Sequence, residues 1–327
     1  MDNAAQILRM FGLKYKSISR ERAYFLCVTD KGIITIKKAT SAELVMATNS
    51  IKQLLEKNGI ETNTFCLAVN GLPYAAIGND IYTASHYIPH SAADFCEPHQ
   101  FKAIIKTVAK MHKVCQNIDV PNEFLAQAKL RINSFAPDEI YQKNSKALND
   151  YKKSVLKKSR ISDFDMLLLN NHSRFMAALS NWFAAAIAGN GIQLETQALH
   201  NKQICHNLLK EENILINNDE IFLTGFSEIS IAHAMNDLAA LVKRYIKLCP
   251  QNAVSLAEVL NTYSSIIPLG NDEVAYFKSL LLFPNKFLEI CQSYYSKRRA
   301  FTPRTFETRM FSLIDSYDFF ESYTSFQ

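Results

Sequence analysis

The stretch Ile204-Cys205-His206-Asn207-Leu208-Leu209-Lys210-Glu211-Glu212-Asn213-Ile214-Leu215-Ile216 decides how this chain is read. Its second half is apolar and β-branched. The turn residues Asn217-Asn218-Asp219 follow, and then a second such run, Glu220–Phe226. Two short runs joined by turn chemistry predict a β-hairpin with a polar loop in front of it. On both sides the apolar spacing has a period of 3.6, so the hairpin stands alone among helices. Helices are predicted downstream near Met235–Leu248, Ala253–Ile266, Glu273–Leu282, Lys286–Lys297 and Arg304–Phe320. Upstream they are predicted over Phe101–Val114 and roughly over 122–133, 138–157 and 164–189.

Before about Pro98 the period is 2. A short amphipathic helix over 2–12 precedes a hairpin, Ala23–Thr29 and Ile33–Lys38, joined by Asp30-Lys31-Gly32. Ser41 is a predicted N-cap for a helix running to about Lys57, and Asn58-Gly59 stops it. Phe65–Val69, Pro73–Ile77 and Ile81–Ile88, separated by Asn70-Gly71 and Gly78-Asn79-Asp80, read as a three-strand meander. The plan is α+β: a β-rich N-terminal lobe over 1–84, and a helical C-terminal lobe over 85–327 that carries the hairpin region 204–228.

Composition narrows the class. At 327 residues and 48% hydrophobic, with 21 Phe and 14 Tyr, the chain supports a substantial core. A net charge of +5 is too mild a bias to call for nucleic acid. Lys297-Arg298-Arg299, the densest basic run, reads as a solvated helix end. No apolar run approaches the roughly 20 residues of a membrane span. The start, Met-Asp-Asn-Ala-Ala, has neither the basic nor the apolar region of a signal peptide, so a cytoplasmic location is expected. The seven cysteines are scattered, without a Cys-x-x-Cys pair, and read as reduced core thiols. No Ser-His-Asp, zinc or nucleic-acid signature appears.

A β-rich lobe, a helical lobe and a lone hairpin preceded by a polar loop is the plan of a bilobal kinase, with ATP between the lobes. Phosphoryl transfer is mainly positioning and charge neutralisation, so few polar groups are needed. Lys37 stands where such folds keep the lysine that grips the phosphates. The following helix, which normally supplies an acidic partner, has Glu43 and Glu56 only near its ends. Kinases of the aminoglycoside and choline type carry His-Gly-Asp-x-x-x-x-Asn before the hairpin, and here His206 and Asn213 keep that spacing. The general-base position is Leu208, which can take no proton, a loss that costs about 10²–10⁴ in rate. The metal-binding aspartate of the second hairpin strand is replaced by Gly225, in Thr224-Gly225-Phe226. Glu211, Glu212 and Glu228 are the nearby acids that could compensate. Asp163-Phe164-Asp165 resembles a metal motif but reads as a surface helix start. Asp237 opens a helix and fits a brace for the loop, or a plain cap.

The end of the chain, Pro284-Asn285-Lys286-Phe287-Leu288 with Tyr294-Tyr295, resembles the corresponding segments of bacterial spore coat proteins of the CotS family. Phe11-Gly12-Leu13, Asp163-Phe164-Asp165 and Asp237-Leu238-Ala239 fit it too. The resemblance spans nearly the whole chain and implies a protein-kinase-like, aminoglycoside-phosphotransferase-like fold. It implies sporulation, residence in the mother cell and then in the spore coat, and other coat proteins as partners. With Leu208 and Gly225 in place of aspartates, the expectation is a degenerate member, a pseudokinase acting as scaffold with no cofactor and no metal. The alternatives are a nucleotide or small-ligand binding protein, which would use Lys37, and an atypical small-molecule phosphotransferase, which would need ATP and Mg²⁺.

Overall fold

Alternation along the N-terminal strands sorts an apolar core from a polar face. The structure is a computed structural model and describes residues 2–21, 23–116, 131–132, 136–218, 220–249, 254–296 and 302–324. Strands β1 (Tyr15–Arg20), β2 (Phe25–Thr29), β3 (Gly32–Ala39), β4 (Ala75–Ile77) and β5 (Asp80–His86) form one antiparallel sheet, in the order β1-β2-β3-β5-β4. Ile34, Ile36, Cys27, Tyr82 and Ala84 face Ile7 and Leu8 of helix α1 (Asp2–Met10). Each fully buried isoleucine there contributes about 1.5–3 kcal/mol. The partners Lys37↔Thr83 and Thr35↔Ser85 therefore lie on the other face. Lys38 returns to the first face and pairs with Asp80 at 2.7 Å.

Helix α2 (Ala42–Lys57) begins as expected, with Ser41 Oγ accepting from Leu44 N–H. It ends at Asn58, followed by Gly59 at φ +71°. The predicted first meander strand is not one: Phe65 makes a single bridge to Ser85, and Val69 N–H turns away to the Met10 carbonyl. Helix α3 (Pro98–Val114) is capped by Glu97, whose carboxylate accepts from the amides of His99 and Gln100.

Short strands frame the hairpin. These are β6 (Ser91–Ala92), β7 (Arg131–Ile132), β8 (Ile204–Cys205), β9 (Ile214–Asn217), β10 (Glu220–Leu223) and β11 (Ser230–Ile231), in two sheets ordered β10-β9-β6 and β7-β11-β8. The predicted hairpin is β9–β10, in register from Glu220↔Asn217 to Leu223↔Ile214. Residues 131–132 are strand where helix was expected. The rest of the 122–133 prediction, the Lys297-Arg298-Arg299 run and Asp219 lie outside the described residues.

The remaining helices are α4 (Pro137–Leu156), α5 (Asp163–Ala188), α6 (Gly191–His200), α7 (Met235–Leu248), α8 (Leu256–Ser264), α9 (Asn271–Leu282), α10 (Asn285–Tyr295) and α11 (Pro303–Thr324). Helix α6 has no counterpart in the sequence reading. The chain divides into two compact units: Met1–Asn133 with Ala198–Asp237, and Ser134–Gln197 with Leu238–Gln327. In the second unit Phe164, Leu168 and Phe175 pack with Phe287, Tyr294, Phe306 and Met310. Phe175 and Phe287 stack there at 3.8 Å between ring centroids. No single helix among the described residues is long and apolar enough to cross a membrane. Cys27, Cys66, Cys115, Cys205 and Cys291 are free, but Cys96 and Cys249 are disulfide-bonded, so the reading of seven reduced thiols does not hold.

Candidate functional site

The loop between β8 and β9 is held from beneath by Asp237. Its Oδ2 accepts from His206 N–H at 2.6 Å, its Oδ1 from Asn207 N–H at 2.8 Å, and His112 Nε2 lies 3.1 Å from Oδ2. Burial pushes the carboxyl upward, but the His112 hydrogen bond and the nearby imidazoles outweigh it and hold Asp237 below the usual carboxylate range. Asn207 adopts φ +61°, a left-handed conformation that asparagine tolerates far better than β-branched or bulky residues. Its amide donates to the Glu228 carbonyl and to Ser230 Oγ, tying the loop to the chain beyond the hairpin. His206 is fully buried, with Nε2 2.8 Å from the Thr224 carbonyl and Nδ1 accepting from Leu208 N–H. Desolvation is the main cause that keeps its pKa below the ordinary histidine value.

Asn213 and Gly225 meet at the far end of the loop. Asn213 Nδ2 donates to the Leu208 carbonyl at 2.9 Å, and the Asn213 carbonyl accepts from Thr224 N–H at 2.8 Å. Gly225 sits at φ +77° directly against the Asn213 amide, and a β-carbon there would overlap Asn213 Oδ1 and Cγ. The amide thus fills the volume that a side chain at 225 would need. The half-buried Leu208 shows its backbone carbonyl to Asn213, and its side chain offers neither proton acceptor nor ligand. Glu211 and Glu212 lie in the 3₁₀ turn over 211–213, and Glu212 reaches Lys210 at 3.8 Å.

Mg²⁺ takes oxygen ligands in near-octahedral geometry. Among the described residues, the trio of His, Cys, Asp or Glu ligand atoms that gathers within metal-binding range is His112, Cys205 and Asp237. All three are buried and engaged: Asp237 as above, and Cys205 Sγ donating to the Ala232 and His233 carbonyls. That cluster is a brace. Its ligand types do not suit Mg²⁺, and Asn213 alone offers a neutral amide.

Lys37 lies on β3, an interior strand and not an edge, and its side chain is exposed. Desolvation by the surrounding protein still lowers its pKa, and its Nζ lies 5.6 Å from the centroid of the Tyr24 ring. The helix residue that sequence reasoning missed is Lys52. It is 2% exposed, and its Nζ donates to the Asn63 carbonyl at 2.7 Å and to Asn63 Oδ1 at 2.9 Å. The same ammonium lies 4.0 Å from the Phe65 ring centroid and 5.8 Å from that of Phe226. One turn earlier, Thr48 Oγ1 donates to the Phe226 carbonyl. Glu56 is taken up by Thr62, whose Oγ1 donates to it at 2.9 Å.

Residues 4–325 match the protein-family model described as Spore coat putative kinase YutH. The chain belongs to that family. The YutH match bears out the CotS-like resemblance over nearly the full length. Among solved structures, the chain is similar to an aminoglycoside phosphotransferase from Alicyclobacillus acidocaldarius, with a TM-score of 0.83 and 14% identity over 98% of this chain and 93% of that one. It is also similar to spectinomycin phosphotransferase in complex with ADP and spectinomycin (TM-score 0.60, 16% identity, 98% and 93% covered). A third likeness is to Plasmodium vivax ethanolamine kinase (TM-score 0.52, 14% identity, 95% and 84% covered). At these identities the likeness establishes the fold, which is the kinase-like fold expected. No curated protein sequence matches significantly.

Two of the sequence segments that carry the family resemblance meet in the second unit. The Asp163-Phe164-Asp165 motif does start a helix, with Asp163 exposed, but Phe164 and Asp165 are buried, Asp165 to 1% exposure, so only its first residue is at the surface. Ser162 and Asp165 cap α5 reciprocally, Lys158 Nζ pairs with Asp165 at 2.7 Å, and Tyr295 donates to Asp165 Oδ1 at 2.9 Å. Phe164 stacks on Tyr294 at 3.8 Å. The motif anchors α5 to α10.

Proposed function

We propose that this YutH-family chain is a pseudokinase scaffold of the spore coat, with a kinase-like N-terminal lobe over 1–84 and a C-terminal lobe over 85–327, and that it transfers no phosphate. One observation carries the reading: the Asn213 amide occupies the volume beside Gly225, so a carboxylate side chain has no room there, while position 208 carries an apolar leucine that can take no proton. The scaffold around them, Asp237 with His206 and Asn207, is intact, which favours a protein kept for its shape. Membership of a spore coat family supports a location in the mother cell and then in the coat, with other coat proteins as partners. Asp237 serves as a structural brace in this reading, and Lys37 as a contact for anionic ligand.

The test is a radiolabelled ATP assay with Mg²⁺ and, separately, Mn²⁺, against water, small amino alcohols and coat extract, run beside the Lys37→Ala variant. The expected result is no phosphate release or transfer above that of the variant. Turnover that disappears in Lys37→Ala overturns the reading.

A further inference from the structure

Helix α4 and the turn after it carry a charge that the rest of the chain does not share. Between Lys143 and Arg160 stand seven basic residues and one acid, Asp150, a net +6 against +5 for the whole chain. Tyr141, near the start of α4, stacks on Phe183 late in α5 at 4.7 Å, and Lys158, just past the end of α4, pairs with Asp165 at the start of α5. The two helices therefore form an antiparallel hairpin, with Leu148 and Val155 of α4 turned into the core. On the solvent side Lys143, Lys146, Asp150, Lys153 and Lys157 recur at spacings of three and four, and all are exposed. Among the described residues Lys143, Lys146, Lys153, Lys157 and Arg160 have no ion-pair partner. A helix C-terminus favours cations in its last turn. That does not account for Lys143 and Lys146, about three turns earlier. A face kept for solubility alone mixes both signs.

The tip of this hairpin is apolar as well as basic. Leu156, Ile161 and Met166 are 62%, 41% and 46% exposed, in a stretch that also holds Lys152, Lys153, Lys157 and Arg160. Asp163, at the start of α5, is the exposed acid there. Cations by themselves suit any polyanion. Exposed aliphatic side chains set among them suit a surface that is anionic outside and hydrocarbon within. Lysine and arginine heads reach lipid headgroups while their stems and the neighbouring aliphatics lie deeper. We propose that the tip of the α4–α5 hairpin is a peripheral membrane contact: the Lys143–Lys157 face lies on an anionic lipid surface, and Leu156 and Ile161 enter its interfacial layer. No helix has to cross the bilayer for this. None of these residues belongs to the loop around Asn213 and Gly225, so the contact neither requires nor excludes phosphate transfer.

The experiment is flotation of the full chain with two kinds of vesicle, phosphatidylcholine alone and an equal mixture of phosphatidylcholine and phosphatidylglycerol, each at low and high NaCl. Flotation is expected with the anionic vesicles and not with the neutral ones, weakening as salt rises. Lys153→Gln and Lys157→Gln are each expected to weaken it about fivefold, the factor for one charge near an anionic surface. Leu156→Ser combined with Ile161→Ser is expected to weaken it about tenfold. All four positions are exposed, so the variants should melt with the wild type. Leu156→Trp adds an indole at the tip, against a single native tryptophan, Trp182, that is buried. The added emission should shift to the blue on anionic vesicles and be quenched by brominated acyl chains. No flotation, equal flotation with neutral vesicles, or flotation untouched by the Lys153 and Lys157 variants overturns the inference. An added indole that keeps its aqueous emission on floated protein overturns it as well. Binding of inorganic polyphosphate or polyglutamate without flotation assigns the patch to a soluble polyanion, which also overturns it.

Discussion

The Asn213 side chain stands where a β-carbon on Gly225 would have to go. Such an atom would overlap Asn213 Oδ1 and Cγ and lie 2.8 Å from Nδ2, and Gly225 already holds φ +77°. The two residues are complementary in shape, and neither can change alone without cost. Gly225→Ala is therefore expected to destabilise the protein by about 1–3 kcal/mol through overpacking and left-handed strain. In an Asn213→Gly background the cost should shrink, because the colliding amide is gone. A double-mutant cycle by urea unfolding measures the coupling. Purely additive effects would mean that the contact is not what excludes a side chain at 225.

Asp237 offers a second test. It is buried, and its two oxygens take both loop amides and face His112. Removing the carboxylate strands those donors, and Asp237→Ala is expected to cost about 3–5 kcal/mol, the range for breaking a buried charged contact. The pH dependence follows from the sign of its shift. The folded pKa is depressed, so its stabilisation is fully present above the ordinary carboxylate value of 3.8 and is lost as pH falls through the lower folded value. Thermal melts between pH 6 and pH 2 should show a steeper acid limb for the wild type than for Asp237→Ala.

Much of this was legible from the chain, and the failures have physical causes. The hairpin β9–β10, the Ser41 cap and the long helices stood out because each is written in local chemistry: a turn, a hydroxyl, a period of 3.6. Strand β1 was missed because Tyr15–Arg20 is an edge strand exposed on nearly every residue, with no alternation to read. The two-residue strands β6, β8 and β11 exist only because partners elsewhere in the chain pair with them. Helix α6 hides because Ile192 and Leu199 remain exposed and leave no clean apolar stripe. At the site, His206, Asn213 and Asp237 could be found by spacing. Asn207 carried a usable signal, since asparagine is an apt substitute for glycine at positive φ. Lys52 carried none, because lysine reads as a surface residue unless the fold shows it buried. The fit of Asn213 to Gly225 depends on a turn that only the folded hairpin closes.

Lys52 also makes a prediction about stability. Its pKa falls from 10.5 to about 7 in the folded protein. Above pH 10.5 both states are neutral and the group has no effect. As pH falls toward 7 the unfolded chain binds a proton that the folded chain resists, so the fold loses stability and stays penalised below 7. The penalty at neutral pH is on the order of 3–5 kcal/mol at about 1.4 kcal/mol per unit. Lys52→Met, similar in length and apolar, should therefore raise the melting temperature at pH 7 and lose that advantage near pH 11. A variant less stable than wild type at both pH values would show that the Asn63 hydrogen bonds and the Phe65 contact outweigh desolvation.

Tyr295 and Asp165 supply the last test, in the second unit. The Tyr295 hydroxyl donates to Asp165 Oδ1 at 2.9 Å, while Lys158 and Ser162 share the rest of the carboxylate. Burial first, and then the Asp165 contact, drive the Tyr295 pKa far upward, so the phenol stays protonated through alkaline pH. A tyrosine whose folded pKa is raised contributes stability that is complete below its unfolded value, near 10, and is lost only as pH rises toward the folded value. Tyr295→Phe keeps the ring that stacks on Tyr151 at 4.6 Å and removes only the hydroxyl. The expected cost is about 1–3 kcal/mol, the range for taking one partner from a buried charged acceptor. Because the hydrogen bond ties α10 to the start of α5, hydrogen exchange should quicken at Ser162–Asp165 before it does in α3. Unchanged exchange at those amides would mean that Lys158 and the reciprocal Ser162 cap hold the helix start by themselves.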